Sequence, residues 1–260
     1  MNIGLCTITN KDWAVEDVLI LAAEAGYDGV EIWGREHVGV TNDKDDPDLE
    51  TCRRIATKAS DLGLEIPVYG SYLRPGTASF RDELETELEA GAALGADFIR
   101  VWPGDQEYGD HESTHWDAVV EDLALAGRRA SSRGLDVTVE KHEGTLTNRE
   151  EGARRLIEAV DSPAVGLNWQ PLFFLDDDEL QGEAKRLAPI SNNVHLQATR
   201  ERGENQRCPL SEAYFDVPEI VSAFDSAGFD GYLEVEFVDP TAEYEATVEA
   251  EREYLAGIAP

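Results

Sequence analysis

The sequence predicts a single (β/α)8 barrel spanning residues 1–260, and three observations carry that expectation. Short β-rich runs alternate with amphipathic Ala/Leu/Glu-rich runs along the whole chain, the pattern of parallel βαβ units. The units count to eight within 260 residues, a length that a closed barrel fills as one domain. The first strand-to-helix turn also lacks the GxGxxG fingerprint that would favour an open dinucleotide-binding sheet.

The punctuation between units is itself a repeat. Gly, any residue, then an acid recurs as Gly26-Tyr27-Asp28, Gly63-Leu64-Glu65, Gly95-Ala96-Asp97, Gly134-Leu135-Asp136 and Gly228-Phe229-Asp230. Each copy follows a helical pattern and precedes a strand, so the glycine closes one helix and the chain turns at once into the next strand. Strands are expected at about 2–7, 28–33, 64–69, 97–102, 135–140, 164–170, 191–197 and 231–237. Helices are expected at about 13–25, 48–62, 80–94, 114–132, 149–160, 177–188, 217–227 and 241–256.

Side chains alternate along a strand, which splits each one into two faces. Val30 and Ile32, Ile99 and Val101, Val137 and Val139, Val194 and Leu196, and Leu233 and Val235 form aliphatic sets that suit the helix layer outside a barrel. The opposite faces carry polar residues and must point at the barrel axis. Buried charges there are costly unless they pair, hold a metal or sit near a solvent-accessible mouth. The strand-end members are Glu31, Trp33, Arg100, Trp102, Glu140, Gln170, His195 and Glu236. They fall at the C-terminal face, where barrel enzymes keep their active sites. Singly, each has a plainer role: Glu140 and Arg100 as a structural ion pair, His195 as a hydrogen-bonded core histidine, Trp33 and Trp102 as filling for the mouth. Glu234, deeper than Glu236, reads as an internal ion-pair partner. Two strand-end glutamates and a histidine on one face together point to a site.

Composition narrows the partners. Asp and Glu number 54 against 22 Lys and Arg, a formal net charge of −32 spread along the whole chain. Such self-repulsion weakens a compact state unless salt screens it, so the expectation is a salt-adapted, halophilic cytoplasmic protein. No basic stripe is available to meet nucleic-acid phosphates. No stretch reads as a signal peptide or a membrane span. Cys6, Cys52 and Cys208 show no CxxC spacing and read as small apolar side chains of a reducing compartment.

The segments GYDGVEIWG (26–34), GADFIRVWPG (95–104), VTVEKHEG (137–144), AVGLNWQP (164–171), NNVHLQATR (192–200) and GFDGYLEVEF (228–237) resemble the xylose isomerase-like TIM barrels. That superfamily includes sugar phosphate isomerases and epimerases, hydroxypyruvate isomerases, inosose dehydratases and endonuclease IV. The resemblance covers essentially the whole chain and implies a divalent metal held after strands five to eight by Glu, Asp, His and Glu. The matching positions are Glu140, Gln170, His195 and Glu236, with Gln170 where the family has Asp and Phe173 where a histidine is usual. An arginine usual after the seventh-strand histidine is matched by Arg200. A carbonyl oxygen from Gln170 brings no charge, so the site is expected either to bind Mn²⁺, Mg²⁺, Co²⁺ or Zn²⁺ more weakly or to have lost its metal.

The reaction implied is isomerisation or epimerisation of a sugar, sugar phosphate or related polyhydroxy ketone. Glu140 and Glu236 would exchange the proton, and Glu31, Trp33, Arg100, Trp102, Lys141, His142 and Arg200 would bind substrate. Two alternatives stand beside it: an inosose dehydratase-like lyase, and a metabolite-binding barrel without metal. An endonuclease IV-like role would need more strand-end histidines than the five in the chain allow. The resemblance also implies a homo-dimer or tetramer. Substrate choice is expected to lie in loops 35–47, 70–79, 103–113 and 200–216.

Overall fold

The computed structural model describes residues 1–42 and 45–259, so positions 43 and 44 of the 35–47 loop lie outside the described residues. Eight parallel strands close into a barrel: β1 (Asn2–Cys6), β2 (Gly29–Trp33), β3 (Val68–Gly70), β4 (Phe98–Val101), β5 (Asp136–Glu140), β6 (Val165–Trp169), β7 (Ser191–Leu196) and β10 (Tyr232–Val235). The remaining two, β8 (Ala198–Thr199) and β9 (Arg207–Cys208), form a short antiparallel hairpin over the mouth side, after β7. The helices are α1 (Val15–Ala25), α2 (Leu49–Asp61), α3 (Phe80–Leu94), α4 (Ser113–Ser131), α5 (Glu150–Val160), α6 (Asp177–Leu187), α7 (Val217–Ser226) and α8 (Tyr244–Ile258).

The expected boundaries hold to within a few residues except at the third strand. There the ladder begins at Val68 instead of residue 64. Pro67 has no N–H to donate, and upstream of it only an isolated Gly29–Glu65 bridge joins the neighbouring strand. The glycine punctuation works as expected: Gly26 and Gly95 take φ of 83° and 70° and close α1 and α3. The acid that follows ties the turn down, since the Asp28 carboxylate accepts the Ile3 backbone N–H at 2.8 Å.

Alternation sorts the strand side chains as the sequence implies. Val30, Ile32, Ile99, Val101, Val137, Val139, Val194, Leu196, Leu233 and Val235 are fully buried in the core shared with the helices. Trp169 packs edge-on against Phe224 of α7, 5.5 Å between ring centres, which marks the outward face of β6. Tyr69 of β3 likewise donates to Glu87 of α3 at 2.6 Å. The inner face of β3 carries Val68 and ends in Gly70. A Cβ there would lie 2.5 Å from Glu31 Oε1 and 2.8 Å from Arg100 Nη2, so the missing side chain is the room through which a charge pair crosses the barrel. The three cysteines are buried and free. Among the described residues, no helix is long and apolar enough to cross a membrane.

Candidate active site

Inward-facing charges from β2, β4, β5 and β7, and from the residue just past β10, meet at the C-terminal end of the barrel in alternating order. Arg100 pairs with Glu140 through Nη1 and with Glu31 through Nε at 3.1 Å. The other Glu31 oxygen meets His195 Nε2 at 2.8 Å. The far side of the same imidazole, Nδ1, lies 3.6 Å from Glu236 Oε1. Glu31, Arg100, Glu140 and His195 are all buried, and Glu236 is 6% exposed. A chain of opposite charges in a dry interior survives only because each member faces a partner.

The titration of these groups follows from that order. Burial alone would raise the Glu31 carboxyl, yet the charges of Arg100 and His195 outweigh it and hold the group below its usual range. Glu236 is lowered in the same way, burial being outweighed by His195 and Arg100. Burial disfavours a charged His195, but Glu31 and Glu236 overcome it and raise the imidazole well above its ordinary value. Glu234 shares the His195 cation with Glu31, at a longer 3.7 Å. Burial and the nearby Glu31 charge push it up to about 8, so it is largely protonated at neutral pH, hydrogen-bonded to Asn193 Nδ2 at 2.5 Å. It is an internal partner rather than part of the mouth.

The four positions matched to metal ligands do come together. Donor atoms of Glu140, His195 and Glu236 lie within 4.8 Å of one another. Gln170 is adjacent, but it presents its NH2 group to Glu140 Oε1 at 2.9 Å and to the Lys141 carbonyl at 2.8 Å. Its oxygen accepts from Gln197 Nε2 at 2.7 Å, and the same nitrogen donates to Glu236 Oε2 at 2.7 Å. Gln170 and Gln197 therefore form an amide bridge between the two glutamates, and Gln170 is not turned to ligate.

The remaining three residues fit a divalent cation. His195 Nδ1 is buried with no hydrogen-bond partner among the described residues, while Glu31 holds the opposite ring nitrogen. This is how metal-ligating histidines are usually oriented, one nitrogen fixed by a carboxylate and the other free to ligate. Charge agrees with geometry: with a cation in place of the Nδ1 proton the imidazole would be neutral, and Glu31, Glu140 and Glu236 against Arg100 would leave two negative charges to meet the ion. Three protein ligands with an open position also suit a catalytic rather than a structural ion. Glu140 can ligate while accepting from Arg100 and Gln170, because each carboxylate oxygen has two lone pairs. A second group of donors, Cys6, Glu31, His195 and Glu234, lies on the Nε2 side of the ring and supports it from below.

Aromatic side chains wall the mouth. Trp33 donates through its indole N–H to Tyr72 Oη at 2.8 Å, Tyr72 lies 5.7 Å from Trp102, and Trp102 stacks on His142 at 4.6 Å. Beside them a cavity of about 200 Å³ has Gln170 and Gln197 in its lining, together with His142, Phe173, Asn205 and Arg207. A larger concavity of about 610 Å³ lies on the outer surface between α1 and α8 and contains no site residue.

Some expected substrate contacts lie elsewhere. Glu31 and Arg100 are committed to each other and to His195 and Glu140, beneath the mouth. Arg200 is exposed and bonds Glu212 at 2.6 Å and Asp239 at 3.5 Å, so it faces the surface side of its hairpin. Lys141 is fully buried and points outward to Glu183 of α6 at 2.9 Å. Two residues at the mouth were not singled out in the sequence. Gln197, the residue just past β7, continues the inward parity of His195, a signal that was present. Arg207 sits in the returning arm of the hairpin, and no local pattern places it there.

A family model described as the xylose isomerase-like TIM barrel matches residues 19–258. A 3-dehydroshikimate dehydratase from Bacillus anthracis is 24% identical over 174 residues, 65% of this chain and 61% of that protein. An inosose dehydratase from Geobacillus thermodenitrificans (strain NG80-2) is 27% identical over 139 residues, 46% of each chain. The chain thus matches less than two thirds of either relative's length. Among solved structures, the probable 3-DHS dehydratase of petrobactin synthesis from Bacillus anthracis superposes with a TM-score of 0.81 at 20% identity, covering 98% of this chain and 99% of that one. The IOLI protein with a zinc atom gives 0.82 at 16% identity over 99% and 98%, and an L-ribulose 3-epimerase gives 0.78 at 17% over 98% and 93%. Those structural likenesses show a shared fold, and with the family match over nearly the whole chain they establish that this protein belongs to the xylose isomerase-like TIM barrel family.

Proposed function

We propose that this barrel is a metal-dependent enzyme that removes a proton next to the carbonyl of a polyhydroxylated ketone and then expels a hydroxyl group, a dehydratase reaction. The observation that carries it is the His195 imidazole, fixed by Glu31 on one nitrogen and unpartnered on the other beside Glu140 and Glu236. Glu140, His195 and Glu236 would hold Mn²⁺, Mg²⁺, Co²⁺ or Zn²⁺. When bound, the ion would polarise the substrate carbonyl and stabilise the negative charge that develops on its oxygen.

Glu236 is the proton carrier in this reading. It is anionic, at the mouth edge, and held by one amide donor, Gln197. Glu140 is held on both oxygens, by Arg100 and by Gln170, and serves as an anchored ligand. Epimerisation needs proton exchange on opposite faces of the substrate, hence two free carriers. Elimination needs one: Glu236 takes the C–H proton, the C–H electrons form the new double bond, the C–O bond breaks, and the same carboxylic acid protonates the departing hydroxyl as water. The two dehydratase relatives agree with that choice. Epimerisation of a sugar or sugar phosphate is the second reading, favoured by the presence of a second carboxylate, Glu140, in the same donor cluster.

The test is product analysis with Mn²⁺ and three candidate substrates, 3-dehydroshikimate, an inosose and L-ribulose. Water loss is expected, and a C-epimer instead would establish the second reading. Glu236→Gln should lower turnover by about 10²–10⁴-fold, the usual share of a general acid–base group. Near-normal turnover in that variant would sink the assignment.

A further inference from the structure

In a protein of net charge −32, cations gather on the aromatic side chains around the barrel mouth. Lys11 lies over Trp33, Arg35 over Tyr72 at 4.2 Å and Arg74 over Trp102 at 4.1 Å. Arg207 completes the ring from the opposite side, its guanidinium 4.9 Å from the Phe173 ring centre and 5.1 Å from that of Phe237. Fixed positive charge at a concave entrance draws anions towards it even when the net charge is negative.

Arg207 is the member built as a binding group. It lines the cavity that contains Gln170 and Gln197, the two amides that touch Glu140 and Glu236. Its Nη1 donates to the Asn205 carbonyl at 2.8 Å, but its Nε is buried with no partner among the described residues. No carboxylate pairs with it within salt-bridge distance among the described residues, although the sequence holds 54 acids. A buried guanidinium N–H without an acceptor is costly, and a planar fork held between two rings is preorganised for an oxyanion.

We propose that the substrate carries an anionic group, a carboxylate or a phosphate, and that Arg207 binds it while the polyhydroxylated part reaches Glu236. This rests on the reading of the site as an enzyme for polyhydroxylated ketones and narrows its substrate class. It also separates the chemistry of the two curated relatives, since a dehydroshikimate is a carboxylate and an inosose is neutral.

The experiment is calorimetric binding to the Mn²⁺-supplemented protein at one KCl concentration, with three non-reacting probes. These are shikimate (a carboxylate), myo-inositol 1-phosphate (a phosphate) and myo-inositol (neutral). At least one anionic probe should bind ten-fold or more tighter than myo-inositol, and which one does so identifies the group. Arg207→Met keeps the stem between Phe173 and Phe237 and should lower anion binding about 10- to 100-fold, as expected for a charged hydrogen bond, with little change for myo-inositol. Asn205→Glu, on the exposed loop, offers Arg207 a competing carboxylate and should have the same effect without touching the packed stem. Arg200→Met should change nothing. Equal or weaker binding of both anions relative to myo-inositol, including binding of neither, overturns the proposal, as does unaltered anion binding in the Arg207→Met and Asn205→Glu proteins. Because binding is read without turnover, failure here is distinct from failure of Glu236→Gln to lose activity.

Discussion

Replacing Glu31 by Gln removes one charge and adds one donor at the point where the buried network is least able to accept it. Glu31 lies 3.1 Å from Arg100 Nε as an ion pair and accepts from His195 Nε2 at 2.8 Å. A glutamine has one carbonyl oxygen and one NH2, so it can turn its oxygen to only one of those two groups. If the oxygen faces Arg100, the NH2 meets His195 Nε2 and forces the ring proton onto Nδ1, the nitrogen otherwise free to ligate. If the oxygen faces His195, the NH2 collides with the Arg100 donor. Either way the Arg100–Glu31 charge pairing is lost and one buried polar group faces a mismatched partner, at a cost of about 1–3 kcal/mol. The loss of a carboxylate supporting a ligating histidine typically lowers metal affinity about 10- to 100-fold, or about 1.4–2.7 kcal/mol. The assay is competition for Mn²⁺ or Zn²⁺ against a chelator of known affinity, with thermal unfolding measured in parallel. Metal affinity unchanged from the parent protein, in a Glu31→Gln variant that folds, would refute the claim that Glu31 orients His195 as a ligand.

Three other outcomes are expected. Gln170→Asp places a carboxylate beside Glu140 and breaks the bridge to Gln197, so the metal-free protein should melt lower while Mn²⁺ raises its melting temperature more than the parent's; a smaller metal-induced rise would contradict this. Burial pushes Glu87 up to about 7, from about 4.3 in the unfolded chain, so its stabilising contribution is present below the unfolded value and is lost as pH rises through 7. Glu87→Gln should therefore stabilise the protein at pH 8, by at most about 4 kcal/mol, and much less at pH 5, and an equal gain at both pH values in thermal melts would disprove the assignment. The net charge of −32 predicts that the melting temperature rises from dilute buffer to molar KCl as self-repulsion is screened; a melt no higher in salt would remove the basis for salt adaptation.

Much of the site was legible in the sequence because strand alternation is a local property. A period of two assigns Val137 and Val139 to one face and Glu140 to the other whatever surrounds them, and the same parity picks out His195 and Glu236. Eight βα units, punctuated five times by a glycine and an acid, similarly determine the barrel from short-range signals alone. Pro67 was the local feature that moved a boundary, by removing a ladder donor from the third strand. Partner choice was decided only by the closed barrel. That Glu31 reaches both Arg100 and His195 depends on the order in which the strands close and on the gap left by Gly70 between them. The orientation of Gln170 depends on Gln197 meeting it from the next strand. Arg200 and Arg207 are indistinguishable by composition, yet one faces solvent and the other enters the mouth. The β8–β9 hairpin reverses the chain between them, and its continuation is anchored where the Leu210 N–H meets Glu251 of α8 at 3.1 Å, a contact between residues distant in sequence that no local periodicity encodes.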